Sequence, residues 1–385
     1  MLSRAVRGRP GTAAQRREAA GSHRHRTAFR RAALCTLSSL LLLVALPSAP
    51  AASSVKSAPT VAFTERFRAV QHGGIVRAAN SSITCESSAT PAGAPCAMAR
   101  MGAEGRNGDG EMTYIDIDGQ RDTYNSSSAE LVMPAGSRVT YARLYWGANL
   151  RVGEQKPARD NGRVLIAEPG GAYKEVLADT VIGHRTTPHT DGFSASADVT
   201  RLVRDSGSGY WTVAQINVAR GHSAAGAWGG WTLVVAYENP DEPLRHLVIR
   251  DGFETVTANR EHLDMSVADL AIPRGASGSL GVVAYNGDRG LRGDSLSVRT
   301  GDSRAVRLGD AANPVDDVMN STIADHGRHV VNRRPAFTNT LGYDSDVLDL
   351  TPAMAAGGDR LALRFTTGSE SYQLGVVFLQ ITTRR

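Results

Sequence analysis

From Met112 onward, apolar and polar positions alternate with a period of two in short runs. "MTYIDI", "RVTYARLYW", "WTVAQINV", "WTLVVAYE", "LRHLVIRD", "LGVVAYN", "LALRFTT" and "LGVVFLQIT" are rich in Val, Ile, Tyr, Trp and Thr, and several are bounded by Gly, Pro, Asn or Asp. Such runs predict strands. In "WTLVVAYE" both alternating sets are mostly apolar, as in a strand covered on both faces. In "LALRFTT" the set Leu361, Leu363, Phe365 alternates with Ala362, Arg364, Thr366, as in a sheet with one wet face. Together they predict an all-β fold, a two-layer antiparallel β-sandwich of jelly-roll-like form. One short helix is expected where Asp198 or Thr200 can cap a turn holding Leu202 and Val203, with Gly207 and Gly209 ending it.

The N-terminal end reads differently. Nine arginines and one acid, Glu18, precede the apolar stretch "AALCTLSSLLLLVALPSA", and Ala49-Pro50-Ala51 follows it. A basic region, an apolar run and a small-residue site in that order predict a secretory signal peptide over residues 1–51, cleaved after Ala51. An uncleaved membrane anchor is the alternative, because the run approaches the ~18 residues of a spanning helix. Residues 52–104 read as a linker followed by a disulfide-pinned segment. Residues 105–385 read as the sandwich region, with room for two sub-lobes, 105–250 and 251–385.

Charge and cysteines follow from that division. The formal charge is +5, but the leader holds more than all of it, and the remainder is slightly acidic with no long basic run. That charge distribution is not the electrostatic footprint of a nucleic-acid binder, and no nucleic-acid partner is expected. After removal of the leader, no insertion into a membrane is expected. Cys85 and Cys96 are the two cysteines beyond the leader, and in an exported chain they most simply form one local disulfide.

The blocks "MTYIDIDGQRDTYNSSSAELVMPAGSRVTYARLYWGA", "GGWTLVVAYENPDEPLRHLVIRDGF", "GDSLSVRTGDSRAVRLGDAANPVDDVMNSTI" and "NTLGYDSDVLDL" resemble the β-rich head region of a family of exported bacterial surface proteins. Many members carry arrays of conserved repeats behind that head. The resemblance runs from about Phe67 onward. It implies a β-rich fold and a secreted, extracellular or cell-surface location, and it carries no activity onto individual residues.

Several strings spell chemistry. Gly293-Asp294-Ser295-Leu296 spells an esterase nucleophile block. It lies late in an all-β pattern, and Asp325 is followed three residues later by Arg328 where a histidine would be needed. Arg292-Gly293-Asp294 spells a receptor-recognition tripeptide, yet "YNGDRGLRGDSLSV" reads as a hairpin turn between strands. Asp288 and Asp294 are weak calcium candidates within acidic, glycine-rich loops that read as solvated turns; no other cofactor is suggested. His184 and His189, and His326 and His329 in "DHGRH", are thin zinc candidates.

The functional expectation is a non-catalytic protein, adhesin-like or glycan-binding, with a glycan or a surface protein as partner. The alternatives are a structural cell-envelope component and a hydrolase of unrecognised type. A speculative ligand surface is the loop Arg220 to Trp228, with Arg220 and His222 as polar contacts and Trp228 as an exposed anchor. The competing expectation is that this loop folds back and Trp228 caps the end of the sandwich.

Overall fold

The computed structural model describes residues 61–384, apart from 91, 92, 187–189, 259 and 261. The expected leader, its cleavage site and His189 lie outside the described residues, as does the side chain of His184. The fold is all-β. Among the described residues its α-helices are Cys96–Arg100 and Thr200–Ser206, and no helix is long and apolar enough to cross a membrane.

Eleven strands form one hydrogen-bonded ladder. In spatial order they are Arg328–His329, Ala324–Asp325, Tyr343–Asp349, Gly278–Tyr285, Tyr372–Thr382, Leu244–Val256, Val61–Ser81, Gly229–Glu238, Arg138–Asn149, Asp191–Asp198 and Thr180–Thr186. The sequence pattern gave no sign of Val61–Ser81, which falls in the segment read as linker and disulfide loop, yet this 21-residue strand joins the two halves of the ladder. Its first part, from Val61 to His72, pairs with Leu244–Val256. Its second part, from Gly73 to Ser81, pairs with Gly229–Glu238. Glycine is required at the changeover. A β-carbon on Gly73, whose φ is +142°, would stand 2.0 Å from the Tyr237 carbonyl oxygen, and one on Gly74 would stand 2.7 Å from Gln380 Oε1.

At that strand the ladder folds over and its two halves face each other. Trp228 packs on Tyr285 with ring centroids 5.3 Å apart. Thr232 Oγ1 and the Tyr343 hydroxyl share a hydrogen bond of 2.7 Å, and the Tyr145 hydroxyl donates to Asp251 at 3.3 Å. Between the halves lies an apolar layer that includes Ile75, Val234, Leu247, Ile249, Phe253 and Phe378. Each outer face is then covered by a smaller sheet. A five-stranded sheet built around Ser126–Leu131 and Gly209–Ala214 buries Trp146, Trp211 and Trp231. A four-stranded sheet built around Leu361–Thr366 and Ser295–Thr300 buries Leu280, Val282 and Phe365. The result is a β-sandwich architecture in which two sandwiches stand back to back.

The residue patterns account for this stacking. Every residue of Gly229–Glu238 except the last is buried, because Trp231, Leu233 and Val235 fill one layer while Val234 and Ala236 fill the next. Leu361–Thr366 alternates buried and open positions, with Arg364 exposed, because its sheet is outermost. The Thr200–Ser206 helix begins where the Thr200 N–H donates to Asp198 Oδ1 at 2.8 Å and stops at Gly207, whose φ is +74°. Cys85 and Cys96 are bonded, with Cα atoms 5.4 Å apart, which ties the Ile83–Ser88 strand to the start of the Cys96–Arg100 turn.

Candidate functional site

A groove of about 730 Å³ lies along the second part of Val61–Ser81. Its floor is apolar and comes from the layer between the halves: Ile75, Val347 and Phe378, with Tyr237 beside them. Its wall is the hairpin formed by Ala324–Asp325 and Arg328–His329. The two residues between these strands, His326 and Gly327, have φ of +47° and +77°. Two positive φ values in a two-residue loop describe the turn whose twist matches a tight antiparallel pair. That turn stands Asp325, His326, Arg328 and His329 at the rim.

The polar lining is partly tied down. Arg77 Nη2 donates to the Ala324 carbonyl at 2.6 Å, and Arg245 Nη1 is held by Glu242 at 2.9 Å. Gln380 Oε1 accepts from the Ile75 N–H at 2.9 Å. Burial pulls the Arg77 guanidinium below its usual range, and Asp325 and Asp346 partly offset this. Burial, together with Arg289 and Arg333, lowers the His329 pKa, so its ring is neutral at neutral pH and offers one donor and one acceptor. An apolar floor under convergent hydrogen-bonding groups is the usual make-up of a ligand groove. Sequence reasoning singled out His326 and His329 for zinc; among the described residues no three His, Cys, Asp or Glu side chains converge to hold a metal. The Arg77, Arg245 and Gln380 contributions were invisible, because they are drawn together only by the folded ladder.

The speculative loop surface takes another form. Arg220 and His222 are exposed, Arg220 Nε bonding Glu154 at 3.2 Å and His222 Nε2 lying 3.1 Å from the Gly108 carbonyl. Trp228 is fully buried, which corrects the expectation of an exposed anchor. The loop folds back and the ring enters the layer between the halves, where Gly192 and Gly342 leave it room: a β-carbon on either would come within 2.8 Å of it.

The "YNGDRGLRGDSLSV" stretch also differs from expectation. Its flanking strands end at Tyr285 and begin at Ser295 as expected, but they belong to different sheets, so the stretch is a crossing between layers and not a hairpin. Asp294 has no exposed surface, so the tripeptide is not displayed and Asp294 does not sit in a solvated turn, whereas Asp288 is half-buried. Burial pushes Asp294 up to about 6 and Asp288 up to about 7. Ser295 Oγ shares a 2.8 Å hydrogen bond with Thr366 Oγ1 on the neighbouring strand.

Residues 105–290 match a family described as "Protein of unknown function (DUF3344)". No curated protein matches the chain significantly. Among solved structures, the chain is similar to a chain of the Sulfolobus Turreted Icosahedral Virus structure at 8% identity, covering 66% of this chain and 87% of that one, with a TM-score of 0.17. It is similar to one of infectious bursal disease virus Gt strain at 12% identity, covering 84% and 73%, with a TM-score of 0.21. It is also similar to the N-terminal CBM22-1-CBM22-2 tandem domain from Paenibacillus barcinonensis Xyn10C at 10% identity, covering 84% and 99%, with a TM-score of 0.20. Likenesses at these TM-scores carry no argument about function.

Proposed function

We propose that the protein is an exported, non-catalytic binding module of adhesin-like type, and that it takes an extended polar ligand, a glycan, in the groove beside the Ala324–His329 hairpin. The observation that carries this reading is the groove's combination of an apolar floor with arginine, histidine, asparagine and glutamine groups at its rim. Sugars present apolar faces edged by hydroxyls, so a floor of Ile75, Val347 and Phe378 beneath Arg328, His326 and Asn332 offers both halves of the recognition. The arginine-rich, apolar N-terminal sequence supports export, and the resemblance to exported bacterial surface proteins supports the same location.

A glycan array, followed by titration calorimetry of the strongest hit, tests this reading. Wild type should bind, Arg328→Ala with His326→Ala should bind at least about tenfold more weakly, and Arg220→Ala should bind as wild type does. Absence of any glycan binding, or a loss confined to Arg220→Ala, rejects the groove. The structural-envelope reading would then be preferred.

A further inference from the structure

The four-stranded sheet runs in the order His262–Val267, Leu361–Thr366, Ser295–Thr300 and Val306–Leu308. Alternation sends Leu263, Leu363, Phe365, Leu296 and Val298 into the core and their neighbours outward. Register then fixes the outer face. Asp264, Arg364, Ser297 and Arg307 lie opposite one another across all four strands, and Ser266, Ala362 and Arg299 form the next row. Arg299, Arg307 and Arg364 are exposed, as is Arg360, which leads into the Leu361–Thr366 strand. Over the short side chains of Ser297 and Ala362 lies a hollow of about 580 Å³, walled by Arg299, Arg360 and Arg364.

The charges on this face do not balance. Arg364 is taken, its Nε and Nη2 donating to the two oxygens of Asp264 at 2.7 and 2.8 Å. Arg299 Nη1 donates to the Gly301 carbonyl at 3.2 Å, which leaves its charge unmatched. Arg307 and Arg360 make no ion pair or side-chain hydrogen bond among the described residues. Three guanidinium forks thus stand without a carboxylate around a hollow whose one lining acid, Asp264, is already held. Asp302 and Asp359, in the flanking segments, do not line it. The hollow shares no residue with the groove beside the Ala324–His329 hairpin, and no aromatic side chain lines it.

We propose that this face binds an acidic polysaccharide through the carboxylates of its uronic-acid units, with Arg299, Arg307 and Arg360 as the contacts and Ser297 and Ser266 bonding its hydroxyls. Arginine meets a carboxylate with two N–H groups on two oxygens, and the Arg364–Asp264 pair displays that geometry on the face itself. Asp264 also reports the field there: its carboxyl is held below the usual range, chiefly by its hydrogen bonds to Arg364, with His262 and Arg299 adding to them. The strand that Arg360 leads into lies two steps from that of Arg307, so the free forks spread over roughly 10 Å across the sheet. That reach suits the repeated charges of an extended polymer better than one small anion. Single-stranded nucleic acid is held by aromatic rings that stack its bases, and this hollow has none.

Titration calorimetry with polygalacturonate, its methyl ester and polyphosphate, at low salt, tests this face. Wild type should bind the free acid and not the ester, which keeps the sugar chain and removes the charge. Arg307→Gln with Arg360→Gln should bind at least about tenfold more weakly; both residues are exposed and unpaired, so the fold should be kept, as circular dichroism checks. Asp264→Asn, which releases the Arg364 fork, should bind about threefold more tightly or better. Arg159→Gln with Arg201→Gln removes the same charge from exposed arginines elsewhere and should leave binding unchanged. His326→Ala with Arg328→Ala should leave it unchanged too, which keeps this face distinct from the groove. No binding by wild type, equal binding of the ester, tighter binding of polyphosphate, or an Asp264→Asn variant no tighter than wild type overturns the proposal. A loss in either control pair does the same. Light scattering that shows a wild-type dimer dispersed by Arg307→Gln with Arg360→Gln would assign the face to a second copy of the chain and overturn it as well.

Discussion

Trp228 shows how a single residue can mislead when its neighbours are read only along the chain. Flanked by Ala227 and Gly229 in a loop without periodicity, it has no partner that sequence spacing could reveal. Its partners are Tyr285, across the fold of the ladder, and the bare α-carbons of Gly192 and Gly342. A buried ring with that surround is part of the core, so Trp228→Ala should destabilise the protein by about 3–5 kcal/mol. Urea unfolding checks this, and a loss under 1 kcal/mol would show that the ring is dispensable to packing. The sequence also holds three Asn-x-Ser/Thr strings, opened by Asn80, Asn125 and Asn320, and they obey the same logic. Asn80, Asn125 and Asn320 are buried, and each donates its side-chain amide to main-chain carbonyls. They are structural amides, out of reach of surface modification in the folded chain.

Among the elements, the strands with clean alternation were legible and the central one was not. The Gly229–Glu238 and Leu361–Thr366 strands declared both their existence and their number of covered faces, because burial on two faces or one writes directly into the apolar pattern. Val61–Ser81 carries Arg66, Arg68, Gln71 and two adjacent glycines, since it changes partners halfway and borders the groove. Arg66 completes a cross-layer tie by donating to Asp251 at 2.7 and 2.8 Å, the same carboxylate that accepts from Tyr145. Such a strand satisfies two edges at once. A chain beginning at Ser82 would leave main-chain groups of Gly229–Glu238 and Leu244–Val256 unpaired, and unpaired edges recruit other strands. The truncated protein is expected to aggregate or dimerise, and a synthetic peptide of residues 61–81 supplied in trans should restore a monomer with native near-ultraviolet circular dichroism. A well-folded monomer without the peptide would contradict this account.

For the molecule as a whole, the buried acids set the response to pH. Unfolded carboxyls titrate near pH 4. In the fold, burial pushes Asp294 up to about 6, Asp288 and Asp346 up to about 7, and Glu370 up to about 11. Between these limits the folded chain holds more protons than the unfolded chain, so their contribution is complete below about pH 4 and is lost as pH rises, through 6 to 7 for the aspartates and onward to about 11 for Glu370. Glu65, held low by its hydrogen bonds to Arg68, and Asp264, held low by those to Arg364, act in the opposite sense below the usual carboxylate range. Calorimetry should therefore give a higher Tm near pH 5 than near pH 8; an inverted order would contradict the burial of these acids. This behaviour was hidden in the sequence, where "NGDRGLRGD" has the composition of a wet turn. In the fold Asp294 is fully buried and accepts from the Met319 N–H, a partner distant along the chain.

The shared strand also imposes an order of events. Val61 is paired with Phe253, and Gly73 with Glu238, so the earliest described segment to leave the ribosome or an export channel meets its partners only after most of the first sandwich has been made. Loop closures of that length are entropically costly and slow, and folds governed by them lie at the slow end of the kinetic range. The same strand that locks the finished molecule is thus the one that must stay unpaired longest while the chain is being delivered.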